Sequence, residues 1–361
     1  MKKIILIAIL LLFPLSVLGL ESNGQCTILM DQDSGRILYA KDVNTVRSVA
    51  SISKIMTAIL AIESKKLDDI VEIGEEINGS YGSGIYIKVG EKMRLRDLVY
   101  GLMLRSGNDA ALAIAHYVGG SVSKFVEMMN EKAKEIGMKN TTFSNPSGLD
   151  NEKGNYSTAY DMAILTKYAM QNEEYRKIVG TKKYVIKTNM NTYVWNNKNK
   201  LLSLYKYTTG GKTGFTEIAK RTLVSTASKD DLNLIIVTLN NGNDFNEHMD
   251  LYEETFETYK KYKILKKGNI NVFDDKYYKD YNLYLNKDFY YPLTNEEKNN
   301  LYLKIELEKK IIFKKGNEIG KAIVMMGDKK IYEDSIYLGK LKTKNKSNIL
   351  KRIIDWIKGL W

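Results

Sequence analysis

The chain has 361 residues, and it is short of the side chains from which disulfide scaffolds and metal cages are built: one cysteine, two histidines and three prolines. Cys26 alone forms no internal disulfide, and His116 and His248 do not by themselves furnish a three-histidine or Cys/His cage. Zinc and thiol chemistry are therefore not expected, and no metal or organic cofactor is implied. The low proline content, with 44% hydrophobic and 27% charged residues, excludes a disordered or collagen-like chain. Long apolar runs are scarce as well. Ile4–Val17, behind Lys2 and Lys3, is short for a transmembrane span and is interrupted by Pro14. It reads as a secretory signal over residues 1–19, with an uncleaved anchor as the alternative. Asn23, Gly24 and Gln25 make a poor lipidation context for Cys26, which reads instead as a small buried hydrophobe in the first strand.

Charge is unevenly placed. The net charge is +12, yet residues 20–255 carry 29 basic and 29 acidic side chains, whereas residues 256–361 carry 24 and 14. Two domains of different character follow, and an exported chain makes nucleic acid an unlikely target for the basic part. In that part, alternating segments such as LYLKIEL and KAIVMMG predict a small all-β domain from about residue 264 to 340, within a linker-and-domain region 256–345. Its tyrosines, Tyr277, Tyr278, Tyr281, Tyr284, Tyr290 and Tyr291, read as ordinary strand residues, a sugar-stacking surface being the alternative. The last segment, 346–361, has Ile353, Ile357 and Trp361 on an apolar helical stripe, with Trp356 beside it and lysines upstream. That pattern suits contact of Ile353, Trp356, Ile357 and Trp361 with an anionic membrane surface; docking on the protein's own body is the alternative.

Residues 20–255 predict an α+β domain. CTILM and RILYA flank the turn DQDSG, a helix follows in SISKIMTAILAIES, and RTLVSTAS and LNLIIVTLN form strands near the end. Three segments within this domain suit one chemistry. Ser51 and Lys54 are one helical turn apart, so a lysine amine of depressed pKa can take the proton of a serine nucleophile. The same spacing recurs at Ser121–Lys124 and Ser203–Lys206, so it carries no weight alone. Ser106-Gly107-Asn108 links two apolar helical segments and holds two polar side chains at a fixed point, with Asp109 as the expected N-cap of the second helix. Lys212-Thr213-Gly214 enters a strand, where a cation and a hydroxyl can grip a carboxylate and a glycine admits a peptide backbone.

In this order the three segments resemble the S-x-x-K, S-x-N and K-T-G signature of the serine–lysine penicillin-recognising enzymes. The stretches ILMDQDSGRILYAKD, SGIYIKVGEKMRLRDLVYGLMLRSGNDAALAIA, TTFSNPSGLD, YSTAYDMA and GGKTGFTEIAKRTLV narrow the resemblance to low-molecular-mass penicillin-binding proteins, the D-alanyl-D-alanine carboxypeptidases of peptidase family S11. The likeness covers about residues 26–255. It implies a β-lactamase/transpeptidase-like α+β catalytic domain and a peptidoglycan stem peptide ending in D-Ala-D-Ala as substrate, with β-lactams as covalent ligands. By that resemblance Ser51 is the nucleophile and Lys54 its base. Ser106 relays a proton, and Asn108 binds the acyl part and Lys54. Lys212 and Thr213 hold the terminal carboxylate beside Gly214, and the backbone N–H groups of Ser51 and Phe215 form the oxyanion hole.

The chain departs from the family where histidines are common, having Ser147 and Asn155, and where some members carry an arginine after the last strand, having Asn241-Gly242-Asn243-Asp244. Neither His116 nor His248 has an evident Ser or Asp partner, which disfavours a Ser-His-Asp triad. A β-lactamase, a DD-endopeptidase or transpeptidase, and a non-catalytic peptidoglycan-binding protein are the competing readings. No glutamate motif stands out between Asn108 and Lys212 for the first, and the last would be expected to have lost part of the site.

Overall fold

The computed structural model describes residues 20–150, 153–272, 277–308 and 314–342. The signal-like segment and the terminal stripe with Ile353, Trp356, Ile357 and Trp361 lie outside the described residues. No helix among the described residues is long and apolar enough to cross a membrane. Contacts divide the chain into two units, one of residues up to Lys229 with Asn233–Phe256, the other of Asp230–Leu232 with Glu257 onward.

The first unit is built on a five-stranded sheet. β1 (Cys26–Asp31) and β2 (Ile37–Lys41) form the opening hairpin, and β3 (Thr208–Thr216), β4 (Lys220–Lys229) and β5 (Leu232–Leu239) return much later, in the order β2-β1-β5-β4-β3. The pairs β1–β2, β1–β5 and β3–β4 are antiparallel. Every residue of β1 is buried, Cys26 included, as its place inside the sheet requires.

The helices are α1 (Lys54–Glu63), α2 (Leu95–Arg105), α3 (Asn108–Gly119), α4 (Val122–Glu135), α5 (Ala159–Ala169) and α6 (Asp244–Thr258), with shorter turns between. Sequence periodicity gives α1 one apolar face. In the structure Lys54 through Ile62 are all buried, because α1 is packed by α2, α3, α4 and α5. A helix enclosed in this way is stabilised by burial, each Ile or Met side chain contributing about 1.5–3 kcal/mol, and a lysine within it is held away from water. That enclosure is the physical origin of the site's chemistry.

The second unit has a sheet in the order β6-β7-β10-β9-β8, from β6 (Gly268–Ile270), β7 (Tyr281–Leu285), β8 (Leu301–Leu307), β9 (Glu318–Met326) and β10 (Lys329–Leu341). Lys260–Leu265 pairs separately with Phe289–Leu293. Leu283, Leu285, Ile319, Val324, Ile336 and Leu338 belong to its core. An all-β expectation needs one amendment: Asn295–Asn299 is a short helix, started by a reciprocal capping box between Thr294 and Glu297.

Candidate active site

Ser51 stands in a single 3-10 turn, Ala50–Ser53, that leads into α1, rather than inside the α-helix. Ala50 has φ +49, a left-handed conformation uncommon for a residue with a Cβ, and its carbonyl accepts the Ser53 hydroxyl at 2.8 Å. Lys54 begins α1 and is wholly buried. Its Nζ lies 3.0 Å from Ser51 Oγ and 2.7 Å from Asn108 Oδ1, and it also donates to the Ser147 carbonyl. Burial, then the cations of Lys212 and Lys198, hold the Lys54 amine well below the ordinary lysine value, with Asp109 opposing.

The second segment is set by two helix ends. Ser106 is the left-handed C-cap of α2 (φ +64) and, 5% exposed, lines the cavity beside Ser51. Asn108 opens α3; its Nδ2 donates to the Tyr81 carbonyl at 2.6 Å, which turns its Oδ1 onto Lys54. Asp109 is not the N-cap, which is Gly107. Its carboxylate instead accepts the backbone N–H groups of Ile85 (3.0 Å) and Tyr86 (2.6 Å), fastening the loop that carries Tyr81 and Ser83 to α3.

The third segment lies on β3. Lys212 is buried, and its Nζ donates to the Thr213 carbonyl at 2.7 Å. Burial, followed by Lys198, brings it down to about 7. Thr213, Gly214 and Phe215 line the cavity, Phe215 with its ring exposed. A Cβ at Gly214 would stand 2.4 Å from Thr222 Oγ1 and 3.0 Å from the Ser51 backbone nitrogen, so only glycine lets β3 run this close to the nucleophile turn. The cavity, about 360 Å³, also takes in Ser83, Lys198, Arg221, Asp244 and Phe245. Arg221 is paired with Asp244 and lies over Phe245, 5.2 Å from its ring centre.

Sequence reasoning gave the Ser147 and Asn155 positions as departures only, and the structure places both against the site. Ser147 supplies a carbonyl to Lys54, and Ser51 Oγ is 3.4 Å from the same oxygen. Asn155, fully buried, holds the loop that carries that carbonyl. Arg221, Asp244 and Lys198 were missed too. Arg221 lies nine residues beyond Lys212 on the neighbouring strand, where its register opposite Phe215 turns it to the cavity, a pattern readable once the hairpin is assumed. Lys198 had no local signal.

His248 has the partner that its sequence context did not show: Nδ1 meets Ser225 Oγ at 2.6 Å, and Nε2 meets Thr238 Oγ1 at 2.9 Å. Both ring nitrogens are thus met by hydroxyls in a fully buried network that continues to Tyr252, and burial lowers the imidazole to about 3. It is a neutral structural group.

A serine hydroxyl and a lysine amine in contact at a helix start, flanked by a Ser-Gly-Asn turn and a Lys-Thr-Gly strand, define a serine–lysine acyl-transfer fold. The family described as D-alanyl-D-alanine carboxypeptidase, peptidase S11, matches residues 16–243, and the C-terminal domain of penicillin-binding protein 5 matches residues 254–347. The chain belongs to peptidase family S11, as a low-molecular-mass penicillin-binding protein. It is 38% identical over 224 residues to the D-alanyl-D-alanine carboxypeptidase DacF of Bacillus subtilis, a match covering 60% of this chain and 57% of that relative. The chain thus spans just over half the length of that protein. Penicillin-binding protein 5 of Haemophilus influenzae superposes with a TM-score of 0.75 at 28% identity, covering 88% of this chain and 97% of that one. DacD of Francisella tularensis gives 0.73 at 26% identity, covering 94% and 97%.

Proposed function

We propose that this protein is an exported serine-type D-alanyl-D-alanine carboxypeptidase that removes the terminal D-alanine of peptidoglycan stem peptides through an acyl-enzyme on Ser51. The observation that carries the reading is the set of acceptors around Lys54. A neutral amine has two hydrogens and one lone pair. Asn108 Oδ1 and the Ser147 carbonyl can only accept, so they take the two hydrogens and leave the lone pair for the Ser51 hydroxyl. The depressed basicity of Lys54 keeps that neutral form populated.

Ser51 Oγ attacks the carbonyl carbon of the penultimate D-alanine while its proton passes to Lys54 Nζ. The oxyanion is held by the backbone N–H groups of Ser51 and Phe215, each such donor being worth about 3 kcal/mol. The proton then moves through the Ser106 hydroxyl to the nitrogen of the departing D-alanine as the C–N bond breaks. Water, deprotonated in the same way, cleaves the ester and returns the proton to Ser51. Lys212 and Thr213 hold the terminal carboxylate, whose negative charge raises the basicity of Lys212 and restores its cation.

β-Lactams acylate the same serine. Among the described residues lining the cavity the carboxylate is Asp244, which is tied up by Arg221, so the penicilloyl ester lacks a free carboxylate base to speed its hydrolysis. This supports the carboxypeptidase over a β-lactamase. At the other end of the chain, the lysine-rich segment and the stripe with Ile353, Trp356, Ile357 and Trp361 support attachment to an anionic membrane surface. Sedimentation with anionic vesicles should be lost in a version ending before Asn348 and weakened by salt; equal binding by both versions would remove this part of the reading. The activity is tested by release of D-alanine from a pentapeptide ending in D-Ala-D-Ala. Release is expected, at least 10-fold slower when the peptide's terminal carboxylate is amidated, since a charged hydrogen-bonded pair is worth at least about 1.5 kcal/mol. No release, or indifference to amidation, contradicts it.

A further inference from the structure

Asn155 is a fully buried asparagine 104 positions from Ser51 in sequence, and its amide group is used on every side. Its Oδ1 accepts the backbone N–H groups of Ser144 (2.7 Å) and Asn145 (3.1 Å). Its Nδ2 donates to the Asn145 carbonyl (2.9 Å) and to Ser53 Oγ (3.0 Å). From there two branches reach the reacting groups. Through Ser53, whose hydroxyl donates to the Ala50 carbonyl, Asn155 is joined to the turn that carries Ser51. Through Asn145, whose Oδ1 accepts from Ser147 N (3.1 Å), Ser147 Oγ (3.0 Å) and Gly148 N (2.7 Å), it is joined to the loop whose Ser147 carbonyl receives Lys54. Gly148 locks the two together. Its φ is +78, and a Cβ there would lie 2.1 Å from the Ala50 carbonyl oxygen, so the loop is seated directly on the nucleophile turn.

We infer that Asn155 is a positioning residue for the Ser51–Lys54 pair, one amide that sets the Ser147 carbonyl against the lysine amine and fixes that carbonyl relative to the nucleophile. The inference rests on the assignment of Ser51 as nucleophile and Lys54 as base. An aspartate could not donate to Ser53 and Asn145, and an imidazole has two ring nitrogens where four bonds are made, so only a planar amide meets all four demands at once. Without it the loop loses its attachment, the lone pair of Lys54 loses its direction, and water gains access to the amine.

The groups that face Lys54 give the sign of the effect. Lys212 on β3 and Lys198 disfavour its cation, Asp109 on α3 favours it, and burial outweighs them all. Hydration therefore returns Lys54 toward an ordinary lysine, and the acid limb of acylation moves to higher pH. The test is the second-order rate constant for labelling by a fluorescent penicillin, measured against pH in wild type, Asn155→Ala and Asn145→Ala. A rate constant is a property of each folded site, so partial unfolding lowers the amplitude and leaves it unchanged. Misplacement of this kind should slow labelling roughly 10- to 100-fold and move the acid limb upward in both variants. If Asn155→Ala does not fold, Asn145→Ala, which cuts only the loop branch, decides the matter. A folded variant that labels at the wild-type rate, or slowly with an unmoved limb, overturns the positioning role. Failure of the wild type itself to label overturns the Ser51–Lys54 assignment, and this inference with it.

Discussion

Lys212 shows at the scale of one residue what the site costs the fold. Its amine is buried on a backbone carbonyl, and burial holds it at about 7, against about 10.4 for the same group in an unfolded chain. Between those values the folded protein binds fewer protons than the unfolded one. Stability from this group is therefore complete above the unfolded value and is lost as pH falls toward 7, by up to about 1.4 kcal/mol per unit. Lys212→Met keeps most of the side-chain volume without the charge. Its urea midpoint should exceed that of wild type at neutral pH, the gain shrinking as pH is raised toward 10, while D-alanine release is lost. A gain that does not vary with pH, or no gain, contradicts the burial account. Lys54 works in the same direction more strongly, so the two lysines that do the chemistry are both held against their preference for water. His248, lowered to about 3, has the same cause without any reach to the cavity.

At the scale of elements, the site is an intersection of a 3-10 turn, the start of α3 and the strand β3, and Gly214 sets the distance between the first and the last. Gly214→Ala would drive a methyl group into Thr222 Oγ1 and against the Ser51 backbone nitrogen. Overpacking of this kind costs about 1–3 kcal/mol, and here it displaces the strand from the nucleophile. Slower penicillin labelling together with a lowered thermal midpoint is expected, measured by stopped labelling and by scanning calorimetry; wild-type labelling would show that β3 can move aside freely. The intersection also explains what was legible. Ser51, Lys54, Ser106, Asn108 and Lys212 to Phe215 stand in three short runs whose residue types state their chemistry, and the hairpin of β1 and β2 with the late strands β4 and β5 follows from alternation and turn residues. Asn155 reaches Ser53 across 102 positions, and nothing in a local pattern distinguishes a buried asparagine with four bonds from one in an exposed turn. Asp109 was misplaced for the related reason that an acid in the first turn of a helix normally caps it, whereas here the loop 85–87 takes its oxygens. The 3-10 entry to α1 is likewise set by tertiary packing, since Gly148 presses on Ala50 from a loop far along the chain.

At the scale of the whole molecule, two units divide the work. The first holds a buried lysine pair around a polar cavity within a family S11 fold, and the second is a small β unit matching the C-terminal domain of penicillin-binding protein 5. Charge follows the same division, neutral over residues 20–255 and basic beyond. The central claim is that Ser51 becomes the covalent nucleophile because Lys54 stands beside it as a neutral base. Its most direct test is the mass of the protein after exposure to penicillin, with peptide mapping, in wild type, Ser51→Ala and Lys54→Arg. The account predicts one long-lived penicilloyl group on the peptide containing Ser51 in wild type, and none in either variant, since a guanidinium does not give up its proton. An adduct that persists in Ser51→Ala, or forms at the wild-type rate in Lys54→Arg, would contradict it.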